Sequence, residues 1–328
     1  MRAITFDRFG GTEVLRLITD APEPTPGPEE VLVRVSHVGL NPLDHKIRDG
    51  SSRLASQLEL PAGTGREMAG TVIRGGEALD DLELASRGLA PDTRVFGMRP
   101  PGDLRGTASE VIAIAADALS PVPTEVEFED LPRWAGLALV GLTAIAAVDD
   151  AARVSEGETV LIHGGTGGVG QMLIPMALEA GAARVWATGR EANASRIREL
   201  GAEPIPYDTA DWQAQIDRAT DGRGVDVVLD THYFSTFEAS LDHLAPGGRV
   251  VPLPTLADLS PARDRGITAV IPEITVTRQR LDRLVIGLRE GHYPLEVSQV
   301  LPLEQIARAH ELLEDGHTRG KIVLDLNA

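Results

Sequence analysis

The sequence predicts an α/β protein of two parts: a β-rich domain at the N-terminus, followed by a parallel sheet covered by helices on both faces. Three observations carry that prediction. At 328 residues the chain is long enough to bury two separate hydrophobic cores. Residues 1–124 are rich in Gly and Pro and break into short strand-like runs. From Phe128 onward, apolar strand-like segments alternate with helical ones, the texture of a parallel sheet between helical layers.

The elements follow in chain order. "MRAITFDRFG" reads as a strand and lacks the apolar core of a secretion signal. In "EEVLVRVSHVGL", Val31, Val33 and Val35 alternate with polar neighbours, as on a half-buried strand. "GTVIRGG", "TRVFGM" and "ASEVIAIAA" are further short strands, and together they suggest a distorted barrel. "WAGLALVGLTAIAAV", Trp134 to Val148, is uncharged but shorter than the ~20 residues that span a bilayer, so it is predicted as a buried helix. "ETVLIHGG" is a strand and "GQMLIPMALEAG" a helix ended by Gly181. Pro175 inside that helix removes a backbone donor and should kink it. "ARVWATG" is a second strand and "NASRIRELG" a second helix. "GVDVVLDT", "GGRVVPLP" and "GITAVIPEI" continue the strand series. The tail gives an amphipathic helix in "LEQIARAHELLEDG" and a last strand in "GKIVLDL".

Composition narrows the function. The formal net charge is −18, a field that repels phosphate backbones and anionic lipid, so neither nucleic acid nor membrane is an expected partner. There are no cysteines, hence no disulfide and no thiolate zinc site. The eight histidines form no H-x-x-x-H or H-E-x-x-H pattern, and no metal is expected. Lys46 and Lys321 are the only lysines among 31 basic residues. The expected location is the cytoplasm.

"VLIHGGTGGVGQMLIPMALEAG" carries G-x-G-x-x-G at Gly165, Gly167 and Gly170, between a strand and a helix. Gly165 would allow the tight turn, Gly167 the close approach of a pyrophosphate, and Gly170 the packing of helix on strand. The loop Gly165, Thr166, Gly167, Gly168, Val169, Gly170 then presents a helix N-terminus to the phosphates. The second strand ends in "WATGREAN", with Gly189 and Arg190 where an NAD site usually places Asp or Glu. A guanidinium there suits a 2′-phosphate, so the expected cofactor is NADPH.

"GLNPLDHKIRDG", Gly39 to Gly50, crowds Asp44, His45, Lys46, Arg48 and Asp49 behind an Asn-Pro turn. By residue type alone it fits a metal site, an acid/base site or a solvated turn. The landmarks "VGLNPLDHKIRDG", "GREMAGTV", "GLALVGLTA", "VLIHGGTGGVG", "GVDVVLDT", "LAPGGRVV" and "AHELLEDGHTRGKIVLDL" resemble, in order and over nearly the whole chain, the medium-chain dehydrogenase/reductase superfamily. More narrowly, they are similar to its zinc-free quinone oxidoreductase and enoyl reductase branch. The resemblance implies a GroES-like barrel-type substrate domain (1–124), an inserted Rossmann domain with a doubly wound parallel sheet (125–274) and a return to the first domain (275–328). It also implies a homodimer acting on a small molecule.

In zinc members of the superfamily a Cys stands at the place of Asn41, and Gly-His-Glu at Gly65, Arg66 and Glu67. Asn41 is a weak ligand and Arg66 a fixed cation, so the resemblance makes the stretch a substrate-pocket wall near the nicotinamide. Asn41 would hydrogen-bond the acceptor oxygen as charge develops on it; Lys46 would stabilise that charge and supply a proton, or else pair on the surface with Asp44 or Asp49. Asp44 would brace the turn, and His45 would line the pocket or lie on the surface rather than act as an acid. Thr143 matches a position near the nicotinamide, Tyr207 one beside the 2′-phosphate, and Lys321 a family Gly-Lys placed among the cofactor contacts. Two departures stand out: Arg66 adds a charge beside the pocket, and His232 and Tyr233 fill places that the family gives to glycine. They point away from a generic quinone reductase, toward a narrower and more polar substrate.

Overall fold

The computed structural model describes residues 1–316 and 318–328, so His317 lies outside them. The chain divides into two compact units: Met1–Leu139 with Thr275–Arg289 and Leu295–Ala328, and Val140–Ile274 with Glu290–Pro294.

The first unit, GroES-like, is built on the strand Glu30–Leu40, which pairs antiparallel with Glu67–Gly75, Val111–Ala115 and Lys321–Asp325 in a seven-stranded sheet. The expected alternation with polar neighbours fails here. Leu32 is as buried as Val31 and Val33, and of the strand only Arg34 is exposed. A central strand covered on both faces needs apolar residues throughout, and bulges at Leu32/Val33 and Val35/His37 re-aim its side chains. Ile4, Val33, Val72, Ile112, Leu303, Ile322 and Leu324 belong to one core that joins both ends of the chain. The unit runs past 124 to Leu139 because the helix Leu131–Ala135 seats Trp134 edge-on against Phe96, with ring centroids 5.4 Å apart. The later return is interrupted at Glu290–Pro294, where buried Tyr293 donates to Glu179 of the second unit.

The second unit holds six parallel strands, Thr159–His163, Arg184–Gly189, Glu203–Pro206, Val225–Asp230, Leu244–Pro252 and Thr268–Ala269. Numbered in chain order they lie 3-2-1-4-5-6, the order of a Rossmann sheet. Its core includes Leu161, Trp186, Val228, Phe237 and Val250. The strand predicted in "GITAVIPEI" shrinks to two residues at the sheet edge. Trp134–Val148 is not one helix: it breaks at Gly136–Leu137, resumes as Ala138–Ile145 and widens into a π-helical turn, Ala146–Ala152. Among the described residues no single helix is long and apolar enough to cross a membrane.

Candidate active site and dinucleotide cradle

The glycine loop follows the strand Thr159–His163. The left-handed residue that makes the turn is Gly164, at φ +80°, and not Gly165 as expected. Gly165 is small for another reason: a Cβ there would lie 2.6 Å from Ala187 Cβ on the neighbouring strand. A Cβ on Gly170 would strike the Gly164 carbonyl oxygen and lie 2.8 Å from Gly165 Cα, so only glycine lets the helix Gly170–Glu179 sit on the loop. At Gly167 the nearest atom to such a Cβ is Gly164 O at 3.4 Å, leaving the open side that an approaching phosphate requires. The helical bonding starts with Gln171 N–H to Gly167 O (3.0 Å). The amides of Gly168, Val169 and Gly170 therefore precede it, at the positive end of the helix dipole.

Two residues that sequence reasoning missed hold this loop. Fully buried Gln171 donates from Nε2 to Thr166 O (3.1 Å) and accepts from Arg196 (3.0 Å), and Asn193 Nδ2 reaches Thr166 Oγ1 (3.3 Å). The signal available was their position, one residue after the last glycine and shortly after Arg190. Beneath the loop, His163 lies between Thr188 Oγ1 (3.3 Å) and Ser240 Oγ (2.9 Å). Ser240 donates its own proton to Thr236 O (2.7 Å), so it accepts from Nε2–H. Burial brings the His163 pKa down to about 4.

At the end of the second strand, Gly189 pairs with Pro206, which places Arg190 and Tyr207 at adjacent strand ends. Tyr207 N–H donates to Gly189 O (3.1 Å), and both side chains are exposed. Exposed His232 and half-buried Tyr233 donate their amides to Asp230 Oδ1, each at 2.9 Å. Tyr233 holds φ +70°, a conformation costly for a bulky residue and natural for glycine. Its ring packs on Phe237 (5.2 Å) and its hydroxyl accepts from Asp258 N–H (2.7 Å). Thr143 is buried in the helix Ala138–Ile145.

In the first unit, strand register assembles the residues of the Asn-Pro turn. Leu40 faces Ile322 and Gly39 faces Glu67, which brings Asn41, Glu67 and Lys321 together from three strand ends. Lys321 Nζ donates to Leu40 O (2.6 Å), Asn41 Oδ1 (2.5 Å) and Glu67 Oε1 (2.8 Å). Asn41 Nδ2 donates to the same Glu67 oxygen (2.9 Å), and Leu139 N–H to the other (2.8 Å). Lys321 is 3% exposed and Glu67 0%. Lys321, expected among the cofactor contacts, is corrected on that ground: all three of its N–H bonds end on protein acceptors.

Arg66 is corrected as well. Its guanidinium is buried and donates to the carbonyls of Asp103, Pro100 (2.9 Å) and Arg99 (3.4 Å). It ties down the 99–103 loop, with its N–H groups turned onto those carbonyls; burial lowers its pKa. Asp44 accepts from Asn41 N–H (2.7 Å) across the first turn of the helix Pro42–Arg48, and so braces the turn. Burial raises its pKa to about 6. His45 and Lys46 are half-buried on the same helix. His45 Nδ1 lies 3.8 Å from Asp49 Oδ2, and burial lowers the His45 pKa.

A model described as the alcohol dehydrogenase GroES-like domain matches residues 27–124, and one described as zinc-binding dehydrogenase matches 200–324. A 2-haloacrylate reductase from Burkholderia sp. is 30% identical over 316 residues, covering 92% of each chain. The chain belongs to the medium-chain dehydrogenase/reductase superfamily. Among solved structures of this superfamily, the quinone oxidoreductase of Coxiella burnetii superposes with a TM-score of 0.89 at 30% identity, over 99% of both chains. The Escherichia coli quinone oxidoreductase complexed with NADPH gives 0.86 at 28% identity, over 99% of this chain and 100% of the other. This medium-chain dehydrogenase/reductase is an oxidoreductase, a nicotinamide-dependent reductase by its relatives. The glycine loop fits such a cofactor. Zinc does not fit: Asn41 Oδ1 is taken by an ammonium, and the Arg66 guanidinium has no lone pair to offer and is turned onto loop carbonyls.

Proposed function

We propose that this superfamily member is an NADPH-dependent, zinc-independent reductase whose acceptor is a quinone or an activated C=C bond of the enone or enoyl type. The observation that carries the reading is the Asn41 carboxamide, held as a hydrogen-bond donor by Glu67 and Lys321. By the resemblance, it stands where a zinc-dependent relative would place a cysteine ligand. Arg190 and Tyr207 would bind the 2′-phosphate, and the amides of Gly168–Gly170 the pyrophosphate. The dinucleotide, when bound, supplies the hydride. Asn41 would meet the acceptor oxygen as charge builds on it, and Lys46 would supply the proton. The names of the Burkholderia relative and of the two solved structures support both acceptor types. Homodimeric assembly in the cytoplasm belongs to the same proposal and is checked by light scattering and fractionation.

The test is cofactor consumption, NADPH against NADH, with quinones, enones, 2-haloacrylates and enoyl thioesters. Turnover with NADPH and any of these acceptors is expected; turnover only with NADH, or only when zinc is added, overturns the reading. One observation favours a second reading, a dedicated reductase of one biosynthetic intermediate such as a polyketide. Tyr233, at φ +70°, adds a bulky ring next to exposed Phe234 where the family has glycine. That reading predicts tight NADPH binding and silence with the whole panel, an outcome shared with a non-catalytic NADPH-binding protein until the intermediate is tried.

A further inference from the structure

The orientation of an asparagine side chain is set by its neighbours, and both neighbours of Asn41 are one-sided. A lysine ammonium offers donors alone, and an ionised carboxylate acceptors alone. Lys321 Nζ lies 2.5 Å from Asn41 Oδ1, and Glu67 Oε1 lies 2.9 Å from Asn41 Nδ2. A flipped carboxamide would set its NH2 against the ammonium and its oxygen against the carboxylate. Two charge-assisted bonds would become two repulsive contacts. We propose that Lys321 is a positioning residue of the reductase: it locks Asn41 so that the second Nδ2–H, never Oδ1, meets the acceptor oxygen.

This inference rests on the role proposed above for Asn41. Lys321 is not the donor itself, because its three protons are already directed at Leu40 O, Asn41 and Glu67. Nor does it act by net field, since Glu67 balances its charge at 2.8 Å. What remains is orientation, with polarisation of the amide as a smaller addition. Glu67 is itself fixed by Leu139 N–H, so the lock does not depend on a mobile side chain.

The chain is well suited to the test, having two lysines and three asparagines, Asn41, Asn193 and Asn327. In wild-type protein labelled with 15N-lysine, one ammonium signal should be protected from solvent exchange. With 15N-asparagine, Asn41 should give one slowly exchanging side-chain amide pair. A Lys321 ammonium in fast exchange, or two Asn41 orientations, overturns the proposal without any variant. The double variant Lys321→Met with Glu67→Gln removes both charges together, and the neutral carboxamide it puts beside Asn41 pairs with either orientation. It should split or broaden the Asn41 pair and lower kcat about 10-fold or more, with NADPH affinity unchanged. A single sharp Asn41 pair and wild-type kcat in that variant overturn the inference alone, provided Asn41→Ala is slow. Wild-type turnover in Asn41→Ala overturns the Asn41 reading and this inference with it.

Discussion

Asp44 offers a direct test of the buried turn. Its side chain is 2% exposed, and its pKa stands at about 6 against an ordinary 3.8. Burial is the main cause; the Asn41 N–H and the charges of Lys321 and Arg66 pull the value down, and Glu67 pushes it up. The folded protein thus holds this proton more tightly than the unfolded chain does. The stability it contributes is fully present below pH 3.8 and is lost as pH rises through 6. A displacement of that size corresponds to ~3 kcal/mol. Asp44→Asn cannot ionise but keeps an oxygen for the Asn41 N–H. Its stability relative to wild type should therefore climb by about 2 kcal/mol between pH 4 and pH 7. Urea denaturation of both proteins at several pH values, at constant ionic strength, measures this, and carboxylates common to both cancel in the difference. A flat difference, or one that falls with pH, would refute the reasoning by putting the folded pKa at or below 3.8.

Three further outcomes are expected. Arg190→Ala should weaken NADPH binding about 10- to 100-fold, the loss of charge-assisted bonds to one phosphate, and NADH by less than about 3-fold; equal losses by calorimetry would remove Arg190 from the 2′-phosphate site. Gly170→Ala sets a methyl on the Gly164 carbonyl, so it should cost about 1–3 kcal/mol of stability and lower dinucleotide affinity; wild-type melting and wild-type titration together would contradict the close packing. Arg66→Ala should cost about 2 kcal/mol or more by stranding three loop carbonyls and speed hydrogen exchange in residues 99–103, whereas unchanged exchange would mean that the loop is held by other contacts.

Much of this was legible in the chain because local rules and tertiary structure agree there. The glycine loop is the clearest case: strand, turn and helix signals coincide, and Gly170 has the packing role its position foretells. Gly164 escaped notice because the G-x-G-x-x-G pattern begins one residue after the residue that turns. The break at Gly136–Leu137 was hidden by a run of apolar residues that looks continuous whether its helix is bent or straight. Arg66 and Lys321 were misplaced for a shared reason. A charged residue next to a site motif invites a role toward a ligand, yet each partner here is distant in sequence. Arg66 finds carbonyls more than thirty residues away, and Lys321 finds acceptors more than two hundred and fifty residues away. The register of three strands gathers the groups around Lys321, and the pairing of Glu67 with Met98 brings the 99–103 loop to Arg66.

The acceptors around Lys321 resemble a coordination shell. Three oxygen atoms, from Leu40, Asn41 and Glu67, converge on Nζ at 2.5–2.8 Å, as lone pairs would converge on an ion. Two differences from a metal follow. The cation is tethered by the chain, with its stem packed 3.2 Å from where a Gly136 Cβ would lie, so it cannot be exchanged or chelated away. And an ammonium with three filled N–H bonds has no open position, whereas a catalytic zinc keeps one for water or substrate. Lewis-acid activation of a carbonyl is therefore not available from Lys321, and in the proposed reaction polarisation of the acceptor would fall to the remaining Nδ2–H of Asn41. A hydrogen-bond donor of this kind activates groups that are already electrophilic, such as quinones and conjugated alkenes, better than it activates a simple ketone or the reverse oxidation of an alcohol. Turnover should accordingly withstand strong chelators and fall steeply from quinones and enones to unconjugated ketones. Comparable rates on a saturated ketone would show that activation at this site is stronger than one amide donor can supply.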